Sequence, residues 1–206
     1  METKTIVVTL GFKDLFVAHA TSDTHSFKDI AKLVTLQPAV VAHLLLKANM
    51  LCDERRSLNK PLTIEAVINV LGLQAIQDAG NEMIDIPYGL AQEWSKPAVH
   101  SYLLGKIWAE LAEIKIGKRY APEFFLVGLL SSLLENDTAL RESCHEDMMW
   151  RHDREQSPTK REAEAIVDGL LQNKNLHLCD LTRSQQASIM QVFKRACSYA
   201  ESVIGL

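Results

Sequence analysis

Three groups of residues in this chain have types and spacings that could do chemistry. The first is an adjacent pair, His152-Asp153, with His100, His145, Glu135 and Asp137 the nearest further candidates by type. Imidazole and carboxylate ligands of this sort hold a divalent cation, which lowers the pKa of a bound water and neutralises phosphate charge. The pair is flanked by Trp150, Arg151 and Arg154 rather than by a buried apolar helix, and the spacings match no metal motif. It therefore reads as a solvated, charged face, and no catalytic residue, metal ligand or cofactor is assigned. The second group is the basic turn Arg55, Arg56 and Lys60, a solvated loop that could meet an acidic partner or a phosphate. The third is Trp94 and Trp150, large aromatics among polar residues, which suit an interface; Trp108, Phe124 and Phe125 have the helical spacing of core. His43, in the apolar run AVVAHLLL, reads as a boundary histidine with one satisfied ring nitrogen.

The elements that must position these residues are helices. From Pro38, the residues Val40, Val41, Leu44, Leu45 and Ala48 recur at spacings of three and four, one face of an α-helix with proline in its first turn. Asp53 to Lys60 interrupts it. Thr63 then caps a second helix with the stripe Ile64, Val67, Ile68 and Leu71, and Gly72 supplies its stop. Upstream, Ile6, Val7 and Val8 have strand propensity but a helix is expected from about Lys13, and Ser26 with Asp29 forms a capping box for a helix with Phe27, Ile30, Ala31, Leu33 and Val34 inward. Downstream, a long pattern from about Leu90 to Ile116 carries Pro97, where a kink or break is expected, and Gly117 ends it. The run EFFLVGLLSSLLE after Pro122 is apolar on nearly every side and belongs in the centre of a bundle. Residues 135 to 156 are charged, helix or connection. Ser157-Pro158 opens a helix with Ala163, Ile166, Val167, Leu170 and Leu171, and Thr182 with Gln185 caps a last one carrying Ile189, Val192, Phe193 and Ala196. The reading is all-α, a multi-helix bundle of about eight to ten helices.

The order of Pro38, an apolar helix ending in Ala48-Asn49, a variable turn, and then Ile64, Ala66, Val67, Val70, Leu71, Gly72 and Leu73 resembles the HDOD family. These are bacterial signalling relatives of the HD-domain phosphohydrolases. Leu44 and Leu45 also match, and the resemblance extends through Ser101 to Gly128-Leu129-Leu130, about the middle half of the chain. In the catalytic superfamily an adjacent His-Asp pair follows such an apolar run. Ser131 and Ser132 stand there instead, and neutral hydroxyls are poor substitutes for imidazole and carboxylate, so these are vestigial metal-pair positions. The resemblance also sets His100 and Ser101 beside that vanished site, where they could line a small ligand cleft.

Composition sets the outer limits. With 206 residues, 47% hydrophobic and 23% charged, the chain suits one globular domain, an HDOD-like unit of 1-206 with an extension over 1-25 and a divergent helical part over 141-206. A net charge of -4 and pI near 6.0 argue against a nucleic-acid partner, and the connection from Leu51 to Leu62 is too long for a DNA-reading helix pair. Cysteines 52, 144, 179 and 197 form no CxxC pair, which implies reduced thiols and a cytoplasmic protein; no signal peptide and no membrane span is read. What the resemblance implies is a non-catalytic signal-transduction module that works through a protein partner and a small ligand, with self-association left open. The alternatives are a divergent metal-dependent phosphohydrolase using His100, His145 and Asp153, and a DNA-binding regulator.

Overall fold

The computed structural model describes residues 6–8, 11–22, 24–55, 60–85, 91–144, 146, 148–149, 158–172, 174 and 180–204. They form an all-α multi-helix bundle: nine α-helices, one 3-10 turn and one small two-stranded sheet among the described residues. The chain divides into two compact units, Met1–Ala98 with Ser132–His145, and Val99–Ser131 with Glu146–Leu206.

The first unit is organised on α3 (Pro38–Glu54) and α4 (Ile64–Asn81), which pack on each other more extensively than any other pair of whole elements within it. Pro38 sits in the first turn of α3, and Val40, Val41, Leu44, Leu45 and Ala48 are buried. Thr63 caps α4 by accepting the Ala66 N–H at 3.1 Å. Gly72 adopts φ 72°, ψ 174°, a backbone region essentially closed to residues with a Cβ, so α4 is two helical stretches meeting at a kink. The stop signal is real, and helix resumes at once beyond it. The second stretch turns Ile76, Ala79 and Gly80 inward. There α1 (Phe12–Thr21) lies so close that a Cβ on Gly80 would meet Val17 Cγ2 at 3.0 Å. Phe12, Phe16 and Ala20 are the buried face of α1, while Leu15 is exposed.

Ser26 and Asp29 form the expected reciprocal capping box on α2 (Phe27–Val34): the Asp29 N–H reaches Ser26 Oγ at 3.3 Å, and the Ser26 N–H reaches Asp29 Oδ2 at 2.9 Å. Phe27, expected inward, is exposed because it is the first helical residue. The strand propensity at the N-terminus is expressed as β1 (Ile6–Val8), paired in parallel with β2 (Met83–Asp85) in the register Ile6 to Met83, Val7 to Ile84 and Val8 to Asp85. Parallel pairing needs a long crossover, and α1 to α4 provide it. Ile6, Val8 and Met83 point inward and Val7 and Ile84 outward. A short final helix of this unit, α7 (Thr138–Ser143), is capped by Asp137, which accepts the Leu140 N–H at 3.0 Å.

Helix α5 (Ala91–Lys115) begins in the first unit and continues in the second, and α6 (Ala121–Asn136) makes the reverse passage. Pro97 lies inside α5 and does not end it, although a proline removes one backbone hydrogen bond. The buried run Leu103, Leu104, Ile107, Trp108 and Leu111 on its C-terminal side outweighs that loss. In the second unit α6 is buried at Phe124, Leu126, Val127, Leu129, Leu130 and Ser131, the central helix that its composition demands. Against α5 stand α8 (Pro158–Leu171), through Trp108 and Thr159, and α9 (Arg183–Ile204), through Tyr102 and Tyr199, the latter helix capped by Thr182 and Gln185 as expected. Ala163, Ile166 and Val167 face inward on α8, whereas Leu171 in its last turn is exposed.

The tightest packing joins α5 to α6. A Cβ on Gly128 would lie 2.8 Å from Gly105 Cα, and one on Gly105 would lie 2.8 Å from the Phe125 carbonyl oxygen. Both obstacles are backbone, so neither can swing aside. Alanine replacing glycine at an open helical site stabilises by about 1 kcal/mol. Here Gly128→Ala is expected to reverse that sign and cost about 2 kcal/mol or more, seen as a lowered urea midpoint, because overpacking must separate two helices. An unchanged or raised midpoint would show that the close approach is not required.

Candidate functional site

The residues singled out from the sequence have separate fates. Arg55 is exposed at the end of α3, and Arg56, His145, Trp150, His152 and Asp153 lie outside the described residues, as does the side chain of Trp94 on α5. Lys60 departs from the solvated reading. Its ammonium donates to the Ser143 carbonyl at 2.9 Å and meets the Asp53 carboxylate at 3.2 Å, so it clamps the turn onto the end of α7. Next to it Asn49 is fully buried, its amide making a long 3.5 Å contact with Ser143 Oγ while its Oδ1 has no hydrogen-bond partner among the described residues. Burial pushes the neighbouring Cys144 thiol up to about 11, against the opposing pull of Ser143 and Lys60, so it stays protonated at neutral pH. Cys52, Cys144 and Cys197 are free thiols, and Cys179 lies outside the described residues.

His100 Nε2 meets Asp168 Oδ1 at 3.1 Å on an exposed surface, and Ser101 is half-buried beside it. Ser131 is buried on α6 and Ser132 is exposed, their side chains diverging. Among the described residues no three His, Cys, Asp or Glu side chains gather into a metal-holding group. Trp108, Phe124 and Phe125 are packing residues: Trp108 is wholly buried, donates to Thr159 Oγ1 at 3.3 Å and lies 5.7 Å from the Phe124 ring.

His43 is half-buried, and its Nε2 meets Glu82 Oε2 at 2.7 Å. Lys47, one turn further along α3, meets Glu82 Oε1 at 2.7 Å, so one carboxylate at the C-terminal cap of α4 is held by two groups of α3. The backbone carbonyl of Glu82 accepts the Ile6 N–H at 3.1 Å, which places this ion cluster where β1 is anchored. Burial pushes the Glu82 carboxyl up, but the Lys47 ammonium and the His43 ring together outweigh it and hold the group below the ordinary glutamate range.

A cavity of about 430 Å³ opens in the second unit between α5 and α9. Tyr102, Lys106, Glu110 and Glu113 line it from α5, and Arg195 and Tyr199 from α9; Ala109, Val192 and Ala196 add apolar wall. Tyr102 is buried against Phe125 edge-on at 6.1 Å and beside Tyr199 at 5.7 Å. The Lys106 ammonium sits over both the Phe125 and Tyr102 rings, 4.7 and 5.4 Å from their centroids. Ser188 Oγ donates to Glu110 Oε1 at 2.5 Å. These side chains can bind a small molecule through charge, hydrogen bonds and aromatic faces. None of the polar side chains among them stood out in the sequence. The available signal was a polar stripe at 102, 106, 110 and 113 on an otherwise buried helix, spacings of three and four that a core helix does not need.

No family model and no curated protein matches the sequence. Among solved structures, the crystal structure of the MmoQ response regulator of Methylococcus capsulatus str. Bath is similar in fold, with a TM-score of 0.50 and 16% identity over 100% of this chain and 88% of that one. No helix among the described residues is long and apolar enough to cross a membrane.

The Glu82 cluster has a definite pH signature. Its folded pKa lies below its unfolded one, so the unfolded chain binds the extra proton and the stabilisation is complete above the unfolded value of about 4.3. It is lost as pH falls from there through the folded pKa. Glu82→Gln is expected to cost about 1–3 kcal/mol at pH 7 and to flatten the decline in stability below pH 5, measured by urea unfolding across that range. Parallel pH profiles for the two proteins would show that Glu82 does not carry this linkage.

Proposed function

We propose that this chain is a non-catalytic bacterial signal-transduction module of the HDOD kind, acting through contacts with a protein partner. The observation that carries the reading is the pair Ser131-Ser132 directly after Gly128-Leu129-Leu130, where the resemblance calls for His-Asp. One hydroxyl is buried and the other exposed, and neither supplies the charge or the imidazole nitrogen that would hold a cation and activate water. The helical unit around α3 and α4, with Gly72 at its kink, supports the same reading because most residues of the resemblance, among them Pro38, Leu44, Leu45, Ala48, Asn49, Ile64, Val67 and Leu71, are buried there, while Leu73 is exposed. A response regulator carries a similar fold, which is compatible with a regulatory role.

The rival is a divergent phosphohydrolase built on His100, His145 and Asp153. Of these, His100 is engaged with the exposed Asp168 carboxylate. The test is metal content by inductively coupled plasma mass spectrometry on protein purified without chelator, paired with a phosphodiesterase screen in added manganese. The expected result is substoichiometric metal and no turnover. Near-stoichiometric metal with turnover that is lost in His100→Ala would replace the signalling reading with the catalytic one.

A further inference from the structure

We propose that the cavity between α5 and α9 binds a small elongated molecule with an anionic group at one end, an ammonium at the other and a short apolar chain between them. The inference deepens the reading of a non-catalytic module and rests on it in one respect, that the bound molecule is released unchanged.

The charges of the cavity are sorted along its length. Tyr102 touches Tyr199 and Glu110 touches Ser188, so α5 and α9 run antiparallel here. Arg195, one turn before Tyr199, therefore belongs to the Tyr102 and Lys106 end, and the three donors gather there. Glu110 and Glu113 follow one to two turns along α5, about 6–10 Å from Lys106 along the helix axis at 1.5 Å per residue. Between the two ends the wall is Ala109 and Val192, which suits methylene groups.

Three of these side chains are uncommitted. Arg195 and Glu113 make no ion pair or hydrogen bond among the described residues, although opposite charges lining one cavity would pair if they stood within reach. The Tyr102 side chain is 4% exposed and meets aromatic rings and a cation, yet its hydroxyl makes no hydrogen bond among the described residues. The hydroxyl itself is not sealed off but opens on the cavity, where a ligand acceptor can reach it. Burial also raises the Tyr102 phenol above its ordinary value, so it remains a donor at neutral pH. A donor, a guanidinium and an ammonium at one end fit a carboxylate or a single phosphate. Two carboxylates at the other end disfavour a polyanion such as a nucleoside triphosphate, and the two cations disfavour a polyamine. A molecule carrying both signs satisfies both ends.

The probe is 6-aminohexanoate, whose carboxylate and ammonium are separated by five methylenes, titrated into the full chain by two-dimensional amide NMR. Hexanoate and hexylamine each lack one charge. Saturable binding of 6-aminohexanoate about tenfold tighter than either control is expected, the factor supplied by one charge-assisted hydrogen bond. Arg195→Ala and Glu113→Gln, both at exposed positions, are each expected to weaken it at least about fivefold, and Tyr102→Phe, which keeps the ring, to weaken it by a similar factor. No saturable binding at millimolar concentration, equal binding of either control, or variants that bind as the parent does would overturn the site. Chemical turnover of the probe would instead overturn the non-catalytic reading while leaving the site in place.

Discussion

The backbones of α5 and α6 touch at Gly105 and Gly128, and the second unit is arranged by that contact. A Cβ at either position would come within 2.8 Å of backbone on the other helix, so only glycine allows the approach. The closeness lets Phe125 of α6 reach across the α5 backbone to Tyr102, and it brings the Phe125 ring beneath the Lys106 ammonium. Below it, Trp108 fills the space against Phe124 and fixes α8 through Thr159. The cavity wall on α5 is therefore the outer face of a helix whose inner face is held by a steric fit. Such a face is held from behind by packing, with the Ser188–Glu110 bond added at one point. That is what permits Tyr102, Glu113 and Arg195 to stand uncommitted.

Much of the fold was legible because its signals are local. Ser26 with Asp29, Thr63, Pro38 and Thr182 with Gln185 announce helix starts within four residues, and each performs the bond that its type suggests. Gly72 was legible for the same reason: its backbone angles are its own property. What escaped is non-local. The parallel pairing of Ile6–Val8 with Met83–Asp85 depends on residues more than seventy positions apart, and a three-residue strand carries almost no periodicity. Pro97 reads as a kink or a break when judged by its ring, and the apolar run after it carries the helix through.

The site was less legible than the fold, for a related reason. Charge type alone put Lys60 in a solvated turn, but its long stem lets the ammonium reach back to the Ser143 carbonyl, eighty-three residues away. His43 was read correctly as a boundary residue, yet its partner Glu82 and the third member Lys47 come together only when α4 returns along α3. The cavity residues are common helix formers, and Lys, Glu and Tyr at spacings of three and four usually mean a wet surface. Their meaning depends on a second helix, α9, returning antiparallel with Arg195 and Tyr199 at the matching heights.

The two units differ in where their polar groups are engaged, and the contrast bears on where change can occur. In the first, Glu82 is held by two partners and Lys60 by two acceptors, so the polar groups lock α3 to the end of α4 and to α7. The exception is Asn49, whose buried oxygen is unmatched among the described residues and whose one contact is long, a local weakness at the end of the best-packed hairpin. In the second unit, steric fit at Gly105 and Gly128 adds to the rigidity, and Arg195 and Glu113 on the cavity wall make no ion pair among the described residues. A ligand there would add its interactions to a scaffold that already holds its shape, so little ordering cost would be deducted from affinity. A signal passing through the first unit would have to break bonds already made. A ligand in the cavity of the second unit would instead meet Arg195 and Glu113, which have no bond among the described residues to give up.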